Sequence, residues 1–121
     1  LEGAPARVFE IARVRSLGPG SPFIEQSVVS VERFPGLKDR SPLPNTLYVF
    51  FQQAYSCMIL RADETLSAAL AGEARAEVLG VAPDAPVMEI RRQAFDALDQ
   101  VLELRTMTFR TDTHAYFVSL T

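Results

Sequence analysis

From Val8 to Arg15 apolar and polar residues alternate with the period of two that marks a β-strand. Phe9 and Ile11 share one side of that strand with Arg13 and Arg15, so two guanidiniums stand in line with two core-sized apolar groups. The segment from Phe23 to Glu32 repeats the feature with opposite sign, because Glu25 falls on the side of Phe23, Val29 and Val31. Charges on apolar faces are rarely buried alone: they pair with one another, or they hold a charged ligand. Between the two segments, Ser16 to Pro22 is dense in turn formers, which predicts an antiparallel hairpin that brings Arg13 and Arg15 near Glu25.

Further along, Phe34 to Asn45 holds three prolines and reads as an irregular connection. Asn45 or Thr46 then caps a short helix in which Leu47, Phe50, Phe51, Ala54 and Tyr55 recur at helical spacing. Alternation returns from Met58 to Leu70, a long strand bent near Asp63-Glu64. Met58, Leu60, Ala62, Leu66, Ala68 and Leu70 lie on one of its faces, with Glu64 the lone charge among them. Glu73 to Leu79 reads as a helix with Ala74, Val78 and Leu79 inward and Gly80 as a left-handed C-terminal cap. Val87 to Asp96 and Val101 to Arg110 flank the turn Ala97 to Gln100 as a second hairpin, and a last strand is expected over Ala115 to Leu120. The order strand, strand, helix, strand, helix, three strands describes an α+β domain, a mostly antiparallel sheet with short helices packed on one face.

Composition narrows what this domain does. At 121 residues it is one domain with room for a core, and 48% hydrophobic with 22% charged residues is the balance of a globular protein. The net charge of −3 offers no broad basic surface, so the chain is not expected to bind nucleic acid by itself. No apolar run approaches the roughly 20 residues of a membrane span, and a cytoplasmic address is expected. Cys57 is the single cysteine, which fits a small core residue and neither a disulfide nor a structural zinc site. The opening Leu1-Glu2-Gly3-Ala4-Pro5 reads as part of a linker over residues 1–7, with further chain upstream.

The chemistry concentrates around the arginines. A helix start exposes unpaired N–H groups, so Arg13, Arg15, the Thr46 hydroxyl and Tyr48 converge on one phosphate or carboxylate if the Thr46 turn lies over the first strand. The plainer alternatives are that Thr46 is an N-cap, Tyr48 a surface aromatic, and the arginines partners of Glu25. Glu103 shares strand parity with Met107 and Phe109; it either pairs across the sheet with Arg91 or Arg92, or joins Glu25 in accepting hydrogen bonds from a polar ligand. Catalysis has little support: His114 is the lone histidine, expected in a solvent-facing turn beside Asp112. No nucleophile triad, metal-binding spacing or glycine-rich phosphate loop occurs, so no metal and no cofactor is expected.

Several segments together resemble the UTRA domain, the effector-binding half of GntR-type transcription regulators of the HutC subfamily. They are Arg13-Val14-Arg15 with Pro22 and Glu25, Phe34-Pro35-Gly36-Leu37, Thr46-Leu47-Tyr48, Glu64-Thr65-Leu66-Ser67-Ala68, Leu79-Gly80-Val81, Glu103, and Arg110-Thr111-Asp112. The resemblance spans Val8 to Leu120, within a domain set at residues 8–121. It implies a chorismate-lyase-like α+β fold and a homodimer that binds a small anionic metabolite. It also implies allosteric control of DNA binding through an N-terminal winged helix-turn-helix domain that lies outside this chain. It further implies that Arg13, Arg15, Thr46 and Tyr48 hold a phosphate or other anion and that Glu25, Glu103 and Phe109 meet the rest of the ligand. Departures from the family pattern are Thr46 where serine is frequent, Phe109 where tyrosine is frequent, a second hairpin turn without glycine, and Thr113-His114 after Asp112. On the same scaffold the alternatives are a chorismate-lyase-like enzyme and a module for dimerisation alone.

Overall fold

The computed structural model describes residues 7–121, so all but Arg7 of the expected linker lies outside the described residues. Strands β1 (Val8–Ser16) and β2 (Pro22–Ser30) form the first hairpin. Helix α1 (Leu47–Tyr55), strand β3 (Arg61–Leu70) and helix α2 (Gly72–Leu79) follow, and β4 (Pro86–Phe95) and β5 (Val101–Arg110) make the second hairpin. The five strands lie in the order β1-β2-β5-β4-β3, every neighbouring pair antiparallel.

Alternation divides this sheet into two faces. On the front stand Phe9, Ile11, Arg13 and Arg15 of β1, and α1 covers one half of that face by packing Leu47 and Phe51 with Phe34, Leu37, Val29 and Leu102. Phe34 and Phe51 are fully buried with ring centroids 4.3 Å apart. On the back, α2 sets Ala76 and Leu79 against Val87, Ile24 and Ala69. The helices therefore occupy opposite faces, not one. Ala76 and Leu79 point inward, whereas Ala74 and Val78 are exposed. α2 ends as expected: Gly80 takes a left-handed φ of 72° and its N–H caps the carbonyl of Ala76.

Two other expectations fail for reasons of pairing. The β3 ladder begins only at Arg61, and as an edge strand beyond the reach of α1 it leaves Leu66 and Leu70 exposed, along with Met58 and Leu60 just before it. The segment 115–120 forms no strand. Both edges of β5 are already taken, by β2 and β4, and a strand without a ladder partner is only extended chain. Arg110 turns the chain out of β5 by gripping the Asp112 carboxylate through two hydrogen bonds of 2.6 Å. No helix among the described residues is long and apolar enough to cross a membrane.

Candidate functional site

Strand register assembles the front face in rows. One row runs Arg13, Glu25, Met107, Ile90, Leu66; the next runs Ile11, Ser27, Arg105, Arg92, Glu64. A third holds Phe9, Val29, Glu103 and Ala94, and Arg15 sits opposite Phe23. Ionisable side chains thus cross the sheet from β1 to β3 through its apolar middle.

Glu25 is the hub on the β1 side. Its side chain is 0% exposed; Arg13 donates to it from Nε at 3.0 Å and Nη2 at 2.6 Å and Arg15 from Nη1 at 3.0 Å, while Arg105 Nη1 forms an ion pair with it at 3.4 Å. Burial pushes the Glu25 carboxyl up, but the Arg105 charge and the bonds from Arg13 and Arg15 outweigh it and hold the group below the ordinary carboxylate range. Arg13 also donates to the carbonyl of Pro44, tying the connection before α1 to β1. The electrostatic puzzle in the sequence is therefore answered first by pairing: both arginines bond Glu25.

Glu103 is the second buried hub, also 0% exposed. It accepts from Arg105 Nε and Nη2 at 3.0 and 2.8 Å, from the Ser27 hydroxyl, and from the Tyr48 hydroxyl at 2.6 Å. Burial, then the charge and hydrogen bond of Glu103, push the Tyr48 phenol up to about 12. The Arg105 guanidinium lies over the Tyr48 ring at 4.8 Å. Tyr48→Phe removes one donor from a fully buried carboxylate while Arg105 and Ser27 remain. A loss of about 1.5–3 kcal/mol in urea denaturation is expected, and no change in midpoint would mean that water replaces the phenol.

On the far side Arg92 Nε donates to Glu64 at 2.8 Å and Arg92 Nη1 to the Tyr48 oxygen at 3.4 Å, while the Tyr116 hydroxyl also bonds Glu64. Burial pushes Glu64 up, but the bonds from Tyr116 and Arg92 outweigh it and its carboxyl is lowered. The linked cluster sets four guanidiniums (Arg13, Arg15, Arg92, Arg105) against three carboxylates (Glu25, Glu64, Glu103), one positive charge in excess.

Of the seven residues expected from the sequence, Arg13, Arg15, Glu25, Tyr48 and Glu103 belong to this one network. Phe109 lies beside it, stacked on Phe23 with centroids 4.6 Å apart. Thr46 occupies the N-cap position of α1, but its side chain is exposed and makes no capping hydrogen bond. The cross-strand alternative for Glu103 is corrected: Ala94 is its neighbour on β4, Arg92 pairs with Glu64, and Arg91 faces the back. His114 is not a free turn residue, since its ring stands 5.4 Å from that of Phe109. Cys57 is buried, as a core residue should be. Sequence reasoning missed Ser27, Glu64, Arg92, Arg105 and Tyr116; Glu64 and Arg105 carried a signal in their parity with apolar positions.

The cavities described touch this cluster only at its margins, through Arg13 in one and Arg92 and Arg105 in another. One of about 580 Å³ follows the outer edge of β1 between Phe9, Ile11, Arg13, Leu37 and Leu43. Others of about 440 and 330 Å³ lie around Asp63, Arg91 and Leu104, and between the Gly80 turn and Arg110. Among the described residues no group of histidine, cysteine and carboxylates is arranged to hold a metal ion.

The UTRA domain model matches residues 3–115 of the chain. Among solved structures, the ligand-binding domain of a protein assigned to the GntR-family transcriptional regulators of Bordetella bronchiseptica is similar at 30% identity and a TM-score of 0.82, over 94% of this chain and 74% of that one. The effector domain of PhnF from Mycobacterium smegmatis superposes with a TM-score of 0.85 at 23% identity, over 94% and 70%. The longer PhnF chain is matched over half its length. The C-terminal domain of YurK from Bacillus subtilis superposes at 0.84 with 18% identity, over 93% and 78%.

Proposed function

Starting from the UTRA domain family, to which this chain belongs, we propose that it is the effector-sensing domain of a bacterial GntR-type transcription regulator and that its effector is a small anionic metabolite bound on the front face of the sheet. The observation that carries the anion is the unbalanced cluster. Arg15 spends only Nη1 on Glu25; its Nε and Nη2 make no hydrogen bond among the described residues, and its side chain is 27% exposed. A phosphate or carboxylate placed there takes paired, charge-assisted hydrogen bonds and neutralises the surplus charge. Glu25 and Glu103 then act mainly by orienting the guanidiniums, and Phe109 and Phe23 form the apolar floor beside them.

The role is binding, not catalysis, with two copies associating in the cytoplasm and the bound effector favouring one arrangement of the pair. A DNA-binding domain outside this chain would sense that arrangement, to the extent that the effector prefers it. Titration calorimetry with phosphorylated and carboxylated metabolites, repeated on Arg15→Ala, tests the site. Binding weaker by roughly tenfold or more is expected in the variant, from the loss of one charge-assisted contact. Equal affinity in both proteins would place the anion elsewhere. Release of pyruvate from chorismate by the purified chain would favour the enzyme reading instead.

A further inference from the structure

The front face has two halves, and only one lies under a helix. α1 belongs to the cluster of Val29, Phe34, Phe51 and Leu102, yet Phe23, Ile90, Met107 and Phe109 on the other half are also buried. Over Phe23 lies the Arg15 guanidinium, at 5.6 Å, and over Phe109 lies His114. The chain after β5 therefore crosses this half, from Phe109 on β5 to Glu64 on β3, where the Tyr116 hydroxyl bonds the carboxylate. Its root is fixed, by the Arg110 to Asp112 pair and by the Thr111 hydroxyl on the carbonyl of Pro86. Beyond His114 every residue from Ala115 to Thr121 is exposed. A segment rooted firmly and held beyond its root by a ring contact and one hydrogen bond belongs to the least stable end of a fold.

The same bond closes a chain of contacts. Tyr116 holds Glu64 Oε1, Arg92 holds Glu64 Oε2 and reaches Tyr48, and Tyr48 holds Glu103, which Arg105 joins to Glu25. The segment thus ends on the charged cluster. None of the three described cavities is lined by Phe109, Met107, Ile90 or Glu64, the ground that the segment crosses.

We infer that residues 113–121 are a strap over the effector site, latched by Tyr116 on Glu64, and that an anion gains Arg92 when the strap lifts. The ground uncovered beside the guanidiniums is Phe109, Met107 and Ile90, so the ligand that replaces the strap has an anionic end and an apolar or ring-bearing body. The latch and the anion then oppose each other. Opening the strap strengthens binding, and by reciprocity binding loosens the strap.

Arginine modification by phenylglyoxal, followed residue by residue with peptide mass spectrometry, reads this without any ligand. In Tyr116→Phe, and separately in His114→Ala, modification of Arg92 should accelerate, by roughly tenfold where the hydrogen bond to the carboxylate is lost, while Arg75, on α2 and across the sheet, keeps its rate. Equal rates at Arg92 in the parent chain and both variants overturn the strap. A uniform rise that includes Arg75 also overturns it, since that reports general loosening. Phenyl phosphate is then added as the probe, and it should protect Arg92 at lower concentration in Tyr116→Phe than in the parent chain. Equal protection in the two proteins overturns the opposition between latch and anion. This arm alone rests on the anion-binding reading: no protection in either protein counts against that reading, and the accessibility rates still decide the strap.

Discussion

Glu25→Gln is expected to destabilise the domain by about 3–5 kcal/mol, the range for removing one partner of a buried ion pair and leaving the other uncompensated. Glu25 is the fully buried carboxylate between Arg13, Arg15 and Arg105, so the neutral amide leaves three guanidiniums facing one another, with Arg105 alone still paired, to Glu103. Acid should produce the same loss in the parent chain. The folded pKa of Glu25 lies below its ordinary 4.5. Its contribution is therefore present above pH 4.5 and disappears as pH falls through the lower, folded value. Glu64 is also lowered and bends the same limb, so the comparison isolates Glu25: the glutamine variant should lose stability less steeply below pH 4.5 than the parent. Urea midpoints measured from pH 7 to pH 3 check both effects. An unchanged midpoint at pH 7 with a parallel acid limb would show that Glu25 does not neutralise the arginines.

How much of this cluster could be read from the chain depended on the range of the interaction. Alternation fixed the side of the strand on which Arg13, Arg15 and Glu25 stand, and a turn-rich link of a few residues constrained their register, so their proximity was legible in the sequence itself. Helical spacing likewise placed Leu47 and Phe51 inward on α1. The row of Ser27, Arg105, Arg92 and Glu64 was not legible, because strands distant in sequence contribute to it and strand order is not written in local periodicity. α2 misled for a different reason: in a short helix of small residues, Ala74 and Ala76 are equivalent until the sheet beneath selects one. The tail misled because the apolar run of Tyr116, Phe117 and Val118 favours only an extended conformation, which becomes a strand only when it gains a ladder partner.

The network also changes what a saturated ion pair says about function. Every guanidinium of the cluster has a carboxylate partner, which by itself suits a purely structural role. The surplus of one positive charge and the unspent donors of Arg15 are the ground on which the anion-binding proposal stands. The network is closed at Glu25 and Glu103 and keeps unspent donors at Arg15.

Phe51→Ala should cost about 3–5 kcal/mol, the range for emptying a buried aromatic site, and should remove more than packing. Phe51 is fully buried against Phe34, with Tyr48 and Phe50 at centroid distances of 6.5 and 6.1 Å. α1 has nine residues, too few to persist in water without its seat on the sheet. If the seat collapses, Tyr48 withdraws from Glu103 and the turn at Pro44 from Arg13, so the charged cluster loosens together with the core. The exposed face of the same helix supplies the control: Val49 is 51% exposed, and Val49→Ala should stay within about 0.5 kcal/mol of the parent. Denaturation of the two variants, with hydrogen exchange at Leu47 to Tyr55, separates the outcomes. A Phe51→Ala variant that keeps protected α1 amides and the parent's stability would mean that the cluster of ion pairs, not the aromatic core, holds the helix in place.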